Sequence, residues 1–539
     1  MSYIESMAWL LAQLEQFFSR VERFGTDIAR RQRLAAVLCG LLVLFVRAAE
    51  LPRLPVPEPW VHDEFSFLLA ADTFASGRLV NLTHPMWVHF ESIHINQVPT
   101  YISMYPPGQG LALAAGQVFF GSPWAGALLT TALFCWVLCW MLQGWLPPGW
   151  AFLGGMLVTM RIGVFTGTGN SYYGTAVAGI GGALLLGALP RILRRPRAYH
   201  ALLLGLGLAI LANTRPYEGL LACIPVAIAL LVWMVTRKPG PRVAVVTVIL
   251  PLVLVAVPAA AATCYYCYRA TGNPFRMPYV VNRETYAVAP LFLWQSFRPE
   301  PAYHHEVMRA FYVELEPGFQ NAIGQNSLAG WLRAARGKVW RAWLSYLGFA
   351  LTVPLIAFPC HFRDRRVRFF LLSAPVVLFG LGLARYTQPH YLMPMAGACY
   401  VIVLQSMRHM RQWRLRGHQA GLLLVRAVCF FCCAVFLGQV IAPYSDPPYP
   451  GNLQRAQVLR HLESLTGRQL VIVRYGPEHN PNREWVYNRA DIDHAKVVWA
   501  REMSPVDNQE LLRYFRDRTA WLVEPDQQPP GLSPYIPLQ

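Results

Sequence analysis

The stretch YPPGQGLALAAGQVFF, from Tyr105 to Phe120, decides the topology of this 539-residue chain. The stretch is apolar enough to count as a membrane crossing, and one crossing more or less moves every later segment to the other side of a bilayer. Pro106 and Pro107 suit the first turn of a helix, where their missing N–H groups cost nothing. The surrounding sequence indicates whether that helix crosses.

The composition is that of a polytopic membrane protein. Hydrophobic residues make up 55% of the chain and charged residues only 14%, whereas a soluble protein has about a quarter charged residues. Apolar runs of roughly 17 to 25 residues recur through the first 440 positions, and such runs are long enough to cross a hydrocarbon core. They predict crossings near 34–51, 123–142, 150–166, 172–190, 199–213, 217–236, 242–263, 340–358, 367–385, 390–406 and 419–441.

Five basic clusters determine the orientation, because cytoplasmic loops carry an excess of Lys and Arg. All five are cytoplasmic only if Tyr105–Phe120 does not cross, so this stretch is predicted to be an extracytoplasmic juxtamembrane helix. About eleven crossings of the cytoplasmic membrane follow, with the N-terminus inside and the C-terminus outside. Because the net charge of +18 is carried by these clusters, nucleic acid is not an expected partner. The clusters are RRQR (30–33), RILRRPR (191–197), TRKPGPR (236–242), RDRRVR (363–368) and RHMRQWRLR (408–416).

Three regions follow from this pattern. Residues 1–33 are predicted to form a cytoplasmic amphipathic helix, which lies either at the membrane surface or packed on the protein. Residues 34–441 form the transmembrane domain, with large external loops at 52–122 and 264–339.

Residues 442–539 are predicted to be a small extracytoplasmic α/β domain, in the order helix, strand, strand, helix, strand. Its polar run GPEHNPNREWVYNRADID, 476–493, fits either a solvated connection, the favoured interpretation, or a binding loop.

Two acids follow the first crossing, in WVHDEFSFLLAAD (60–72). Asp63 and Glu64 are ionisable groups near membrane depth, where such groups tend to be functional. Acids also favour helix N-termini for purely structural reasons. These residues alone leave both interpretations open.

The external loops carry further candidates. Three histidines beside a glutamate, His84, His89, Glu91 and His94, are residue types that bind a divalent cation such as zinc, although a solvated histidine is the common alternative. Arginine forks recognise phosphate, and Arg161, Arg215 and Arg385 each stand at an external helix end, where they are alternatively membrane anchors. The candidate substrate contacts in these loops are Tyr105, Asn170, Tyr172, Tyr173, Glu218, His390 and Tyr391.

The order of these features resembles the GT-C superfamily of membrane glycosyltransferases, in particular the protein O-mannosyltransferase and aminoarabinose (lipid A) transferase branch. The likeness covers the order of crossings through about residue 440. Close agreement is confined to the first loop, and the C-terminal region lies outside it. The matching stretches are DEFSFLLAADTFASG (63–77), HFES (89–92), YPPGQGL (105–111) and, more loosely, RYTQPHYLMP (385–394).

The resemblance implies a polyprenyl-phosphate-linked sugar as donor and a hydroxyl or phosphate acceptor outside the membrane. By that likeness Asp63 is the catalytic carboxylate, Glu64 supports it or the acceptor, and Glu91 matches a glutamate that helps to hold a metal. Some members carry a further aspartate in the second external loop. The corresponding stretch RIGVFTGTGNSYYG (161–174) has none, which indicates a rearranged site or a different acceptor.

Three other functions remain as alternatives. A transporter or lipid flippase also has many crossings, but it tends to place polar groups on interrupted helices near the midplane, whereas the polar residues here lie on one external face. A polysaccharide polymerase or ligase differs in its acceptor. A scaffold whose tail binds a partner needs no catalytic acid. The sequence therefore favours a glycosyltransferase that works with a lipid-linked donor at the bilayer.

Overall fold

The protein is described from a computed structural model, which covers residues 3–320, 324–364, 366–442 and 452–536. Its first eleven helices are α1 (Tyr3–Arg30), α2 (Gln32–Ala49), α3 (His62–Ala75), α4 (Pro107–Phe120), α5 (Pro123–Trp145), α6 (Pro148–Val158), α7 (Thr175–Arg194), α8 (Ala198–Ala212), α9 (Pro216–Arg237), α10 (Pro241–Ala244) and α11 (Leu250–Thr271). The next seven are α12 (Pro278–Tyr286), α13 (Glu306–Arg309), α14 (Glu316–Gln320), α15 (Leu328–Tyr346), α16 (Arg368–Leu383), α17 (Ala396–Met410) and α18 (Ala420–Ile441).

Several of these helices mark an integral membrane protein. Within the described ranges, six are long and apolar enough to cross a bilayer: α2, α5, α7, α9, the continuous helical stretch Pro241–Thr271, and α18. A seventh crossing results if α15 and the 3-10 segment that follows it, bent by 111°, form one span. The other predicted crossings coincide with the shorter helices α6, α8, α16 and α17. The number eleven stays a prediction.

The helix α4 covers the stretch that decides the topology, and it is not among the helices of spanning length. It begins at Pro107, as the two prolines predict, and ends at Gly121, whose φ of 69° is a left-handed conformation that favours glycine. It packs closely on its neighbours: a Cβ on Gly110 would meet Ala70 in α3, and one on Gly116 would meet Gly126 in α5. Its external position stays a prediction.

The helix α1 packs on the protein, which is one of the two interpretations of the N-terminal segment. Glu22 forms ion pairs with Arg411 and Arg426, each at 2.9 Å, so that α1 is held on the protein near α18. On the same helix the side chains of Trp9, Phe17, Val21 and Phe24 are exposed. Arg365, in the fourth basic cluster, lies outside the described residues.

Three short strands lie within the predicted first external loop (52–122), between its helices α3 and α4. They are β1 (Asn81–Leu82), β2 (Ile95–Asn96) and β3 (Thr100–Ser103), and β3 pairs with both others in antiparallel fashion. Because this sheet folds the chain back on itself, residues close in sequence in this loop face different neighbours.

The residues from 452 to 536 form a sheet with two helices. The helices are α19 (Leu453–Ser464) and α20 (Pro505–Tyr514), and the strands are β4 (Arg468–Val473), β5 (Val497–Arg501), β6 (Arg518–Glu524) and β7 (Gly531–Pro534). The strand order is β5-β4-β6-β7, with β4 parallel to β5 and β6, and β7 antiparallel to β6. The predicted helices and strands coincide with five of these elements, and β7 was not predicted. Residues 443–451 lie outside the described ranges, and the domain boundaries stay predictions.

This sheet shares a hydrophobic core with the first external loop. Phe65 and Phe90 of the loop pack in one buried cluster with Leu470 and Ile472 of β4. The polar run 476–493 lies at the same contact and is buried in its second half, at Trp485, Val486 and Tyr487 among others. The prediction of a solvated connection is therefore wrong for that half, because the charge of its Glu484 is matched by a buried arginine and its apolar side chains fill the core.

Candidate active site

A cavity of about 800 Å³ lies where the first external loop meets the membrane helices. Asp63 contributes the carboxylate of its lining, and aromatic and polar residues of two other segments accompany it: Arg161, Tyr173, Tyr386, Gln388, His390 and Tyr391. Much of the remaining wall is apolar and includes Leu157, Met160, Phe165, Phe349, Phe431 and Phe436. The cavity therefore presents a charged group beside a large hydrocarbon surface.

Asp63 is the second residue of α3, and two groups from the first loop hold its carboxylate. His94 Nδ1 lies 2.6 Å from Oδ1, and the Tyr105 hydroxyl donates to the same oxygen. The backbone of His94 is left-handed, with φ at 63°, an uncommon conformation for a residue other than glycine. The loop thus holds His94 in a strained conformation against Asp63.

This environment keeps Asp63 ionised. Burial disfavours the charge, but the opposing charge of His94 and the hydrogen bonds from His94 and Tyr105 outweigh burial and hold the pKa of Asp63 well below its usual range. The side chain remains 28% exposed, on the cavity side. An ionised carboxylate is therefore available to a molecule in the cavity.

Glu64 has a different environment from its neighbour. Its Oε2 accepts the backbone N–H groups of Trp60 and Val61, at 2.9 and 3.3 Å, and its Oε1 accepts that of Tyr172 at 3.1 Å. Burial raises the pKa of Glu64. These contacts fix the start of α3 and support a positioning role, while the catalytic role of Glu64 stays a prediction.

The three predicted phosphate-binding arginines lie in three settings. Arg161 lines the cavity and donates to the carbonyl of Leu344. Arg215 stacks over the ring of Tyr391, with its guanidinium carbon 4.1 Å from the ring centre. Arg385 is buried and donates to Asn326 at 2.9 Å and, at longer range, to the carbonyls of 292 and 293. Arg161 is the member of this set that lines the cavity.

The structure does not bring the four predicted metal ligands together. His84 Nε2 lies 3.1 Å from Asp493, His89 Nδ1 lies 3.0 Å from the carbonyl of Arg501, and His94 binds Asp63. Among the residues that the structure describes, no three His, Cys, Asp or Glu side chains are arranged to hold a metal ion. The predicted four-residue set is wrong as a single site, because the folded-back loop turns these side chains toward separate partners.

Glu91, the ligand that the resemblance implies, has partners from the end of α12 and from the loop between α12 and α13. The Tyr286 hydroxyl donates to its Oε1 at 2.8 Å, and His304 Nδ1 lies 3.0 Å from its Oε2. His305 Nε2 is 3.9 Å from the same oxygen. The sequence gave no indication of His304 and His305 because they are more than 200 positions away from Glu91.

The predicted substrate contacts divide into two groups. Tyr173, His390 and Tyr391 line the cavity, and Tyr105 binds Asp63. The others serve the scaffold or lie away from the lining: Asn170 accepts from Arg47, the Tyr172 hydroxyl donates to the carbonyl of Pro57, and Glu218 lies in the first turn of α9.

Tyr386 and Gln388 line the cavity and were not predicted, although both lie in the quoted stretch RYTQPHY. The stretch as a whole indicated a part of the cavity lining, but the sequence did not distinguish which of its residues line the cavity.

Solved structures share this arrangement of helices. ArnT from Cupriavidus metallidurans matches with a TM-score of 0.51 in its apo state and 0.50 bound to undecaprenyl phosphate, at 13% identity in both comparisons. The matches cover 90% of this chain and 93% and 92% of ArnT.

An archaeal oligosaccharyltransferase, AglB from Archaeoglobus fulgidus in complex with an inhibitory peptide and a dolichol-phosphate, matches less well. Its TM-score is 0.48 at 10% identity, over 92% of this chain and 70% of that one. No family model and no curated protein matches the sequence. The two ArnT structures therefore establish the fold, and the activity of this chain is argued from its own residues.

Proposed function

We propose that this protein is a glycosyltransferase that moves a sugar from a polyprenyl-phosphate-linked donor to an extracytoplasmic acceptor. One observation carries the proposal: an ionised aspartate, Asp63, lines a cavity whose other walls are largely apolar side chains of membrane helices. A lipid-linked sugar matches these two parts of the cavity, since its chain is hydrocarbon and its reacting end is polar. The ArnT fold, solved with undecaprenyl phosphate, supports the same class of donor.

The proposed reaction joins an acceptor oxygen to the anomeric carbon of the sugar. As this bond forms, the bond between the anomeric carbon and the phosphate oxygen breaks, and polyprenyl phosphate leaves. The acceptor proton passes to Asp63 when the acceptor is a hydroxyl. Because that proton becomes acidic only as the new bond forms, a carboxylate of low pKa suffices to orient the hydroxyl and take the proton late.

The departing phosphate gains negative charge, which a positive group stabilises. Arg161 is the cavity-lining arginine among the predicted set, and its guanidinium offers the fork of donors that phosphate accepts. Arg215 acts indirectly, because it does not line the cavity but stacks on Tyr391, which does. We assign Arg161 to the donor phosphate and Arg215 to the placement of Tyr391.

A divalent cation remains a separate part of the proposal. The four predicted ligands do not fit one ion, so no step of the reaction is assigned to a metal. Glu91 with His304 is the carboxylate–imidazole pair that two loops bring together. Exhaustive chelation tests whether a cation binds at this pair. Loss of sugar transfer that added Zn²⁺ restores would support a cation there, and unchanged transfer would remove the cation from the proposal.

We further propose that the protein lies in the cytoplasmic membrane with α1 inside and residues 452–536 outside. The basic clusters between the helices support this orientation. The exposed apolar side chains of α1 support its contact with the inner membrane surface.

The proposed function is tested with the purified protein in vesicles that contain polyprenyl-phosphate-linked sugars and a cell-envelope lipid extract as acceptor. We expect release of polyprenyl phosphate together with a sugar-modified product. A lipid-linked sugar that crosses the vesicle membrane with its sugar–phosphate bond intact would instead identify a transporter and contradict the proposal.

Narrowing the apolar part of the cavity should weaken binding of the donor chain. Cys432 of α18 lines the cavity, and we expect Cys432→Trp to raise KM for a long-chain donor by about tenfold, because overfilling a packed site costs about 1 to 3 kcal/mol. KM for a donor of two or three isoprene units should stay unchanged.

Leu437→Trp is the matched control, because Leu437 lies on the same helix and is exposed away from the lining. An equal rise of KM in both variants, or a rise for the short donor as well, would contradict this placement of the lipid chain.

A further inference from the structure

The first turn of α3, which carries Asp63, also contacts the residues from 452 to 536. His62 Nδ1 lies 3.1 Å from the hydroxyl of Tyr487, a residue 425 positions later in the chain. The ring of Tyr487 stacks on that of Phe65, with ring centres 4.1 Å apart and planes 5° from parallel. One tyrosine of the C-terminal region thus holds two residues of the turn that presents the carboxylate.

Tyr487 is itself fixed within its own region. Arg455 of α19 donates to the carbonyl of Tyr487 at 2.9 Å and to that of Trp485 at 2.8 Å. The same guanidinium lies 4.9 Å from the ring centre of Phe65. Because Arg455, Tyr487 and Phe65 are all buried, the contact is made by ordered groups in a packed core.

His62 connects Tyr487 to the residues around Asp63. Its ring meets that of His94 edge to face, with centres 5.5 Å apart, and His94 holds Asp63. Phe311 packs against both rings, with its ring centre 4.7 Å from that of His62 and 5.4 Å from that of His94. Burial lowers the pKa of His62 to about 3, so its ring is neutral.

The first turn of α3 is therefore held on three sides. Tyr487 contacts His62 and Phe65. The backbone N–H groups of Trp60 and Tyr172 donate to Glu64. His94 of the first loop contacts Asp63 itself. A positioning role needs this rigidity, because a small displacement of a catalytic group costs a large factor in rate.

We propose that residues 452–536 complete the active site, with Tyr487 as a positioning residue that orients Asp63 through His62. This inference rests on the proposed transferase function. Tyr487 exchanges no proton with substrate, and its effect passes through the hydrogen bond to His62 and the stack on Phe65. The C-terminal region then serves the reaction itself, in addition to the stability of the external loops.

The test compares Tyr487→Phe with Tyr101→Phe. Both changes remove one buried tyrosine hydroxyl between the first loop and the C-terminal region, since Tyr101 donates to the carbonyl of Asn488 at 3.0 Å and does not contact His62. For Tyr487→Phe we expect kcat to fall about fivefold to tenfold, the range of one net hydrogen bond, with KM for the donor unchanged. Tyr101→Phe should keep the kcat of the wild type.

A second pair of variants makes the assignment specific. His62→Phe should lower kcat as much as Tyr487→Phe does, and the double variant should lose no more than either single one, because both changes break the same hydrogen bond. Losses that multiply in the double variant would overturn the coupling. A rise of KM alone in Tyr487→Phe would overturn the positioning role.

The outcomes separate this inference from the proposed function. Equal kcat for Tyr487→Phe and Tyr101→Phe, in a protein whose wild type transfers sugar, would overturn the inference alone. A wild type that releases no polyprenyl phosphate from any donor tested would overturn the proposed function instead. Melting temperatures of the two tyrosine variants within a few degrees of each other ensure that the comparison reports on catalysis.

Discussion

Asp63→Asn is expected to abolish sugar transfer while the protein folds and inserts as before. The amide has the size of the carboxylate and its oxygen still accepts the hydrogen bond from Tyr105, so the first loop keeps its contacts. The amide cannot take the acceptor proton, however, and it lacks the negative charge that faces the cavity. Loss of a general base costs about 10² to 10⁴ in rate. The measurement is the initial rate of polyprenyl phosphate release.

Asp72→Asn is the control for this variant. Asp72 is a second carboxylate of α3 but serves the scaffold, since it accepts from Gln117 at 3.0 Å and from the backbone N–H of Ala490 at 2.9 Å. It should retain transfer within about threefold of the wild type, because Asp72 does not line the cavity and its amide oxygen would keep one of the two hydrogen bonds. Turnover by Asp63→Asn at the wild-type rate would remove Asp63 from the reaction.

Arg501→Met is expected to destabilise the sheet formed by residues 452–536 strongly. Arg501 of β5 pairs with Glu484 at 2.7 Å, and the two side chains are 3% and 0% exposed. Burial opposes the charge of Glu484, but the charge of Arg501 outweighs it and holds the pKa of Glu484 below its ordinary value. Without Arg501 the carboxylate is buried and unmatched, which costs about 3 to 5 kcal/mol. The melting temperature of the detergent-solubilised protein measures the loss.

The pH dependence of this loss has a definite sign. In the wild type the depressed pKa of Glu484 contributes stability that is present above its ordinary pKa of 4.5 and is lost as the pH falls. In the variant, burial raises the pKa of Glu484, so that its protonated form is favoured. The cost of burying its unpaired charge therefore decreases as the pH falls. The difference in melting temperature should therefore be large at pH 7 and decrease as the pH approaches 4.5.

Arg468→Met provides the comparison for Arg501→Met. Arg468 lies on the neighbouring strand β4 and pairs with Asp517 at 3.4 Å, but both side chains are about half exposed. A pair of this kind contributes about 0 to 1 kcal/mol. Equal losses in the two variants would show that the buried pair between β5 and the polar run is not a source of stability.

The sequence predicted the parts of the fold that local patterns encode. The hydrophobic runs located the helices, and the short apolar runs in 468–473 and 497–501 located the parallel strands β4 and β5. The acidic pair after the first crossing located the residue that lines the cavity, because an ionisable group near membrane depth is costly unless it is used.

The parts that were not predicted depend on contacts between distant residues. His84, His89 and His94 are close in sequence, yet their partners are Asp493, Arg501 and Asp63, two of which lie more than 400 positions away. A metal site inferred from residue types that are close in sequence cannot take such partners into account.

The same limit applies to charged residues at the ends of segments. Arg385 follows the C-terminal end of α16, and its guanidinium is engaged by Asn326 and nearby carbonyls of the large loop. The run 476–493 is polar in composition but half buried, because Arg501 and Arg455 satisfy its carboxylate and carbonyl groups. Polarity predicts exposure only where no partner is supplied from elsewhere in the fold.

The contact between Tyr487 and His62 has a consequence for the order in which the protein is made. The carboxylate turn is synthesised early, directly after the first crossing, whereas the residues that hold it follow the last membrane helix by chain order. A ribosome-bound chain that has inserted all its crossings therefore still lacks the packing around His62 and Phe65. Under the proposed function, catalytic competence begins only when the tail has been synthesised and has packed on this turn, so that an unfinished chain cannot consume lipid-linked sugar.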